Sequence, residues 1–284
     1  MRFETIRNYI EVLKPRETGL LTFIGVCSAV IAGNGQPPLA RLILALVTIL
    51  IASAGANGLT NYLDRNVDGC MERTRHRALP SKRIYPPQKV LPLTIGLTVI
   101  GLGLAWQLHP IAFISDIIGT TAAVVWRKRI TCVFPQGALA SVTPVIMGWF
   151  AIRPTFGWEI LLLSLLIAAW LPLHVWSIMI AHRQDYLNAG LKYFPMSWQP
   201  KESVKVLLLF SLVLGVASIS LYFVGGFTLL YLMVAIILSA IMIYACVRLV
   251  IANTNENAWK LYKLSAFPYL GLIFLAMTLD IWLL

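Results

Sequence analysis

Apolar residues in this chain come in long unbroken runs, not in the alternating or one-faced patterns of soluble strands and helices. A run of about 20 apolar residues is enough to cross a bilayer as a helix. Nine such runs can be drawn, at 18–34, 39–60, 90–108, 110–126, 136–152, 159–181, 204–224, 227–250 and 264–284. The short breaks at 33–38, 109–110, 153–158 and 225–226 carry Gly, Pro and Asn, the residues that turn a chain. The pattern predicts an all-α polytopic membrane protein. It would be a single integral membrane domain over 1–284, with nine transmembrane helices bundled around a central cavity.

Charge adds an orientation. Of the 23 Lys and Arg, all but Arg41 and Arg153 fall in the N-terminal segment or in connections on its side of the bundle. Lys and Arg accumulate on the cytoplasmic side of a membrane protein. The N-terminus is therefore expected inside, the C-terminus outside, and the protein in the cell (inner) membrane. Hydrophobic residues make up 58% of the chain and charged ones 12%, too few charges for a soluble domain. The net charge of +11 sits between apolar runs, so it reads as topology and not as a nucleic-acid surface. The first run lacks a small-residue cleavage site before a polar mature chain, so it is not read as a removable signal peptide. Cys27, Cys70, Cys132 and Cys246 are scattered without a CxxC, which speaks against a disulfide framework or a thiolate metal site. Two long acid-bearing inner loops lie about 120 residues apart, suggesting two four-helix repeats plus a ninth helix.

The chemistry concentrates at one membrane face, in the stretch NYLDRNVDGCMERTRHRALP from Asn61 to Pro80. Asp64, Asp68 and Glu72 are spaced i, i+4, i+8, which forms one stripe if the preceding helix continues. Like charges at that spacing repel unless a cation lies between them. Mg²⁺ suits such a place, because it takes a carboxylate or two and fills its remaining positions with water and substrate phosphate oxygens. The bases that follow, Arg73, Arg75 and Arg77, then read as the second half of a diphosphate clamp. The second loop, HRQDYLNAG from His182 to Gly190, offers Asp185 and Arg183 as the counterpart. A diphosphate that belongs in a membrane is an isoprenyl diphosphate, with a charged head at the inner face and a hydrocarbon tail between helices.

Several segments together resemble the UbiA superfamily of intramembrane prenyltransferases. They are LKPRETGLL, NYLDRNVDG with MERTRHRALPS, WRKRIT, the Pro144–Trp149 stretch, LPLHVWSI and DYLNAG. Within it, they look like the protoheme IX farnesyltransferase (haem O synthase) branch. The resemblance implies Mg²⁺-dependent transfer of a farnesyl group from farnesyl diphosphate to the vinyl group of haem b. It implies Asp64, Asp68 and Asp185 as catalytic metal ligands, Asn61 as a substrate-binding residue, and Arg65, Arg73, Arg77, Lys82, Lys128, Arg129 and Arg183 as diphosphate contacts. His174 is assigned to the haem side. Implied partners are farnesyl diphosphate, haem b, membrane lipid, and haem A synthase or oxidase assembly proteins, with no nucleic acid. Thr60 stands where the family usually has Asn, His182 where it has Arg, and LKYFP where it has IPMLP. These departures leave a different aromatic or lipid acceptor open.

Two other classes were weighed. A secondary transporter would carry its acids near mid-helix, and a non-catalytic scaffold would tolerate loss of Asp64 or Asp68. Asp116, inside the fourth run, and Asp280, near the end of the ninth, have no role in the enzymatic reading.

Overall fold

The computed structural model describes residues 2–125 and 134–283. Among them the regular structure is helical throughout, with no strand. The helices are α1 (Arg2–Val12), α2 (Pro15–Ala32), α3 (Leu39–Cys70), α4 (Leu91–Leu108), α5 (Pro110–Val125), α6 (Gln136–Ile152) and α7 (Trp158–Ala181). They continue as α8 (Arg183–Asn188), α9 (Pro200–Val224), α10 (Leu229–Ile251), α11 (Asn255–Leu264) and α12 (Leu272–Leu283). Apolar runs adopt this form because in hydrocarbon every backbone N–H must find its partner within the segment.

Among the described residues, six segments are long and apolar enough to cross a bilayer: α3, Pro87–Leu108, α7, α9, α10 and Asn255–Trp282. The expected count of nine is thus met only in part. Helices α5 and α6 have 16 and 17 residues, about 24–26 Å against a hydrocarbon core of about 30 Å. Two runs also differ in extent. The second continues as helix well past residue 60, to Cys70. The last begins earlier, at Asn255, and breaks at Ser265–Gly271, where Pro268 sits inside the turn and Ala266 leaves helical geometry (φ −67°, ψ −137°).

Each membrane helix packs on its neighbours in sequence, and α12 returns to α2, so the bundle closes on itself; α6 also packs on α2 and α3. The α2–α6 crossing is close because both helices present glycine. A Cβ on Gly148 would lie 1.9 Å from the Gly25 carbonyl oxygen, and Ser28 Oγ donates to the Val145 carbonyl at 2.8 Å across the same seam. Gly148→Ala is therefore expected to destabilise the fold by at least about 1–3 kcal/mol, as overpacking does, read as a lower thermal midpoint in detergent. Gly103→Ala is the control, since a Cβ there meets nothing within 4 Å.

Asp280 is explained by the fold. Its carboxylate accepts from the backbone N–H of Thr228 at 2.6 Å and of Tyr231 at 3.1 Å, and from the Thr228 hydroxyl. It caps the N-terminus of α10, whose first N–H groups have no partner within the helix.

On the opposite side, α1 braces the long loop after α3. Arg83 reaches Asn8 Oδ1 at 2.6 Å and Glu11 at 2.7 and 2.8 Å, and Glu11 Oε1 also accepts the Ala78 N–H at 3.0 Å. Val12 buries with Ala78, Leu79, Ile84 and Val90. This bracing fixes the loop that carries the candidate site's bases.

Candidate active site at the mouth of the central cavity

Because α3 runs on to Cys70, Asp64 and Asp68 lie one turn apart on one face of a continuous helix. Both line a central cavity and both are buried, at 4% and 2% exposed. Thr60 and Asn57 extend the same polar face inward, and Asn57 Nδ2 donates to Thr18 Oγ1 at 2.9 Å. Glu72 does not join the stripe. The helix ends first, Met71 is extended (φ −101°, ψ 127°), and Glu72 turns outward to an exposed pair with Arg75 at 3.5 Å.

Two bases close the mouth. Arg77 Nη1 donates to Asp68 Oδ2 at 3.2 Å, and Arg73 Nη2 donates to the Tyr186 hydroxyl at 3.2 Å. Arg73 Nε is buried without a hydrogen-bond partner. Lys14 and Glu17, from the start of α2, complete the rim. Lys14 holds a left-handed backbone (φ 51°) just ahead of Pro15. The cavity behind this rim has a volume of about 330 Å³, within the ordinary range for small-molecule sites. Apolar side chains such as Met147, Leu171 and Ile178 also line it. A charged rim over an apolar interior fits a molecule with an anionic head and a hydrocarbon tail.

His174 lines the same cavity. Its ring stacks between Trp170 (centroids 5.0 Å apart) and Tyr262 (4.6 Å), and Tyr262 stacks in turn on Trp259 (5.0 Å). His174 Nδ1 meets Ser265 Oγ at 3.1 Å, which fixes the ring's orientation. Asp116 also reaches the cavity wall, where it accepts from Thr120 Oγ1 at 3.3 Å.

Other expected site residues stand elsewhere. Asp185 is not among the residues that line the cavity. Its Oδ1 accepts the Glu72 N–H at 2.7 Å and its Oδ2 the Arg73 N–H at 3.2 Å, so it ties α8 to the loop backbone. Among the described residues, no group of three His, Cys, Asp or Glu is placed to hold a metal ion. Arg183 donates to the carbonyls of Pro195, Met196 and Trp198, holding the 195–198 turn. Arg65 lies about 100° round the helix from Asp64, and with Lys82 it lines a separate cleft. Asn61 lies outside the cavity lining; its Nδ2 donates to the Val12 carbonyl at 3.0 Å, while its Oδ1 is buried without a partner. Lys128, Arg129 and Cys132 lie outside the described residues. Burial holds the His182 imidazole below its usual pKa, the positive charge of Arg73 adds to this, and Asp185 opposes it.

The donor set fits Mg²⁺. Asp64 and Asp68 are hard oxygen ligands one turn apart, facing a cavity whose rim can hold phosphate. Mg²⁺ is usually held by one or two carboxylates plus substrate oxygens, not by an all-protein cage.

The UbiA prenyltransferase family pattern matches residues 20–274. A relative from Desulforudis audaxviator named protoheme IX farnesyltransferase is 35% identical, over 99% of this chain and 90% of its own length. Protoheme IX farnesyltransferase 1 of Picrophilus torridus is 31% identical, over 96% and 94%. Among solved structures, one of digeranylgeranylglyceryl phosphate synthase superposes with a TM-score of 0.81 at 17% identity, covering 99% of this chain and 100% of its own. A UbiA homologue from Archaeoglobus fulgidus bound to GPP and Mg²⁺ gives 0.64 at 17%, over 95% and 99%. The helical bundle with its acidic cavity mouth and the family match across most of its length lead to one conclusion: this chain belongs to the UbiA prenyltransferase family and is a multi-pass membrane prenyltransferase.

Proposed function

We propose that the protein transfers a farnesyl group from farnesyl diphosphate to the vinyl group of protoheme IX, giving haem O and diphosphate. The observation that carries this reading is the buried Asp64–Asp68 pair, set with Arg73 and Arg77 at the mouth of an apolar cavity. The names and near-full-length coverage of the relatives support the acceptor.

Asp64 and Asp68 would hold Mg²⁺, which when bound would supply the charge that neutralises the departing diphosphate. Arg73, Arg77 and Lys14 bind the diphosphate oxygens, and their charge is worth more in this water-poor rim than in bulk solvent. The C1–O bond of the farnesyl diphosphate breaks and its electron pair leaves with the diphosphate. Apolar walls keep water from the allylic cation until the vinyl π electrons form the new C–C bond. The cation left on the acceptor then takes up a water molecule, which loses a proton to give the hydroxyl. The stacked Trp170, His174 and Tyr262 rings form a flat aromatic wall suited to a planar acceptor.

The orientation follows from the charges. The N-terminus is cytoplasmic, the C-terminus lies outside, and the site opens to the cytoplasmic face of the cell membrane. The short α5 and α6 join the longer helices in a nine-span, single-domain bundle of two four-helix repeats and a last helix.

The test is to incubate the purified protein with Mg²⁺, farnesyl diphosphate and either haem b or a phenolic acid, then weigh the products. Haem of the mass expected for farnesyl and water addition is the predicted result. A prenylated phenol alone would remove haem as the acceptor and leave the family assignment standing.

A further inference from the structure

The cleft that holds Arg65 and Lys82 shares no lining residue with the central cavity. It lies between the inner end of α3, at Arg65, Asn66 and Gly69, and the turn from Leu79 to Pro87. No acidic residue lines it. Neither Arg65 nor Lys82 pairs with a carboxylate among the described residues. Two positive charges from separate segments therefore converge on one cleft without a counter-ion among the described residues.

The Arg65 charge and the Lys82 backbone are each held in place. The Arg65 guanidinium lies 4.1 Å over the Tyr62 ring, and its Nη1 donates to the Tyr62 carbonyl at 2.6 Å. Its other N–H groups stay available. Lys82 adopts a left-handed backbone (φ 60°) within a turn closed by Lys82 N to Leu79 O at 3.1 Å and Ile84 N to Ala78 O at 3.3 Å. A non-glycine residue there is strained, and such strain collects at functional positions. Apolar Leu79, Pro80 and Ile84 complete the wall, and the cleft-lining Tyr85 is 67% exposed beside it.

Depth decides what such a cleft meets. Arg65 lies five residues past the apolar run that ends at Thr60, about 8 Å along the axis. The headgroup layer extends about 5–8 Å beyond the hydrocarbon core. We propose that this cleft binds the phosphate of an anionic phospholipid headgroup in the cytoplasmic leaflet, resting on the orientation proposed above. Basic pockets at that level bind anionic headgroups. The site is coupled to the active centre through the same turn: Ser81 donates its N–H (3.0 Å) and its hydroxyl (2.7 Å) to the Arg77 carbonyl. A headgroup held by Lys82 steadies the segment that carries Arg77.

The test measures lipid retention, not prenyl transfer, so it stands or falls apart from the reaction. The protein is purified from nanodiscs containing both phosphatidylglycerol and phosphatidylcholine, and bound lipid is read by native mass spectrometry. Wild type is expected to retain phosphatidylglycerol in preference. Arg65→Gln and Lys82→Gly are each expected to lose retention about fivefold, the effect of one surface charge near anionic lipid. Lys82→Gly keeps the fold testable, because glycine suits a positive φ. Equal retention of both lipids, or retention unchanged in folded Lys82→Gly, overturns the proposal. Displacement of the lipid by inorganic phosphate or pyrophosphate also overturns it, and makes the cleft a site for free phosphate.

Discussion

Asp64→Asn is expected to lower the prenyl-transfer rate by about 10³-fold or more, with the thermal midpoint unchanged or slightly raised. The rate falls because a carboxylate that holds the metal against the departing diphosphate is lost, and removing one such electrostatic contact typically costs 10²–10³-fold. The fold survives because Asp64 stands one turn from Asp68 in a wall where both are almost wholly buried. Two carboxylates at that spacing repel each other. Asp68→Asn should lose as much activity and also some stability, since it replaces the charged acceptor that Arg77 meets at 3.2 Å with a neutral amide. The measurement is an initial-rate assay with farnesyl diphosphate across a Mg²⁺ titration, beside a melting curve in detergent. Asp64→Asn retaining activity within tenfold of wild type would remove the carboxylate pair from the mechanism.

The second large effect belongs to Asp185, and its signature differs. Its two oxygens cap the Glu72 and Arg73 N–H groups, and hydrogen bonds to a charged acceptor are worth about 1.5–3 kcal/mol each. Asp185→Ala should free the loop carrying Arg73 and Arg77, cutting turnover by about 10²-fold. Amide exchange should accelerate in 71–77. The Mg²⁺ concentration for half-maximal rate should move little. A metal ligand behaves the other way, shifting the Mg²⁺ dependence while loop exchange stays as it was. Measuring both on one variant separates a positioning role from ligation.

Asp185 also marks where sequence reading stops. Run lengths predict membrane helices, and helical spacing puts Asp64 and Asp68 on one face, because both depend on neighbours within a few residues. What Asp185 touches depends on a contact with Glu72 and Arg73 more than a hundred positions earlier in the chain. The family resemblance groups Arg65 with the diphosphate contacts, although one step along the helix from Asp64 rotates its side chain by about 100°. Arg183 looks like another phosphate base until its guanidinium is seen to be engaged by three carbonyls. Tyr262 joins the His174 wall from a helix with no recognisable motif, and only the packing of α11 on α7 places it there. Glu72 fell off the stripe because nothing local announces that α3 ends at Cys70.

The Asp280 cap also bears on assembly order. Thr228 and Asp280 are 52 positions apart, so α10 is synthesised and enters the lipid long before its lid exists. Until α12 arrives, the amides of Thr228 and Tyr231 lack this carboxylate, and the start of α10 is left with water and the Thr228 hydroxyl. The cap on α10 is therefore complete only once the final helix lies alongside it.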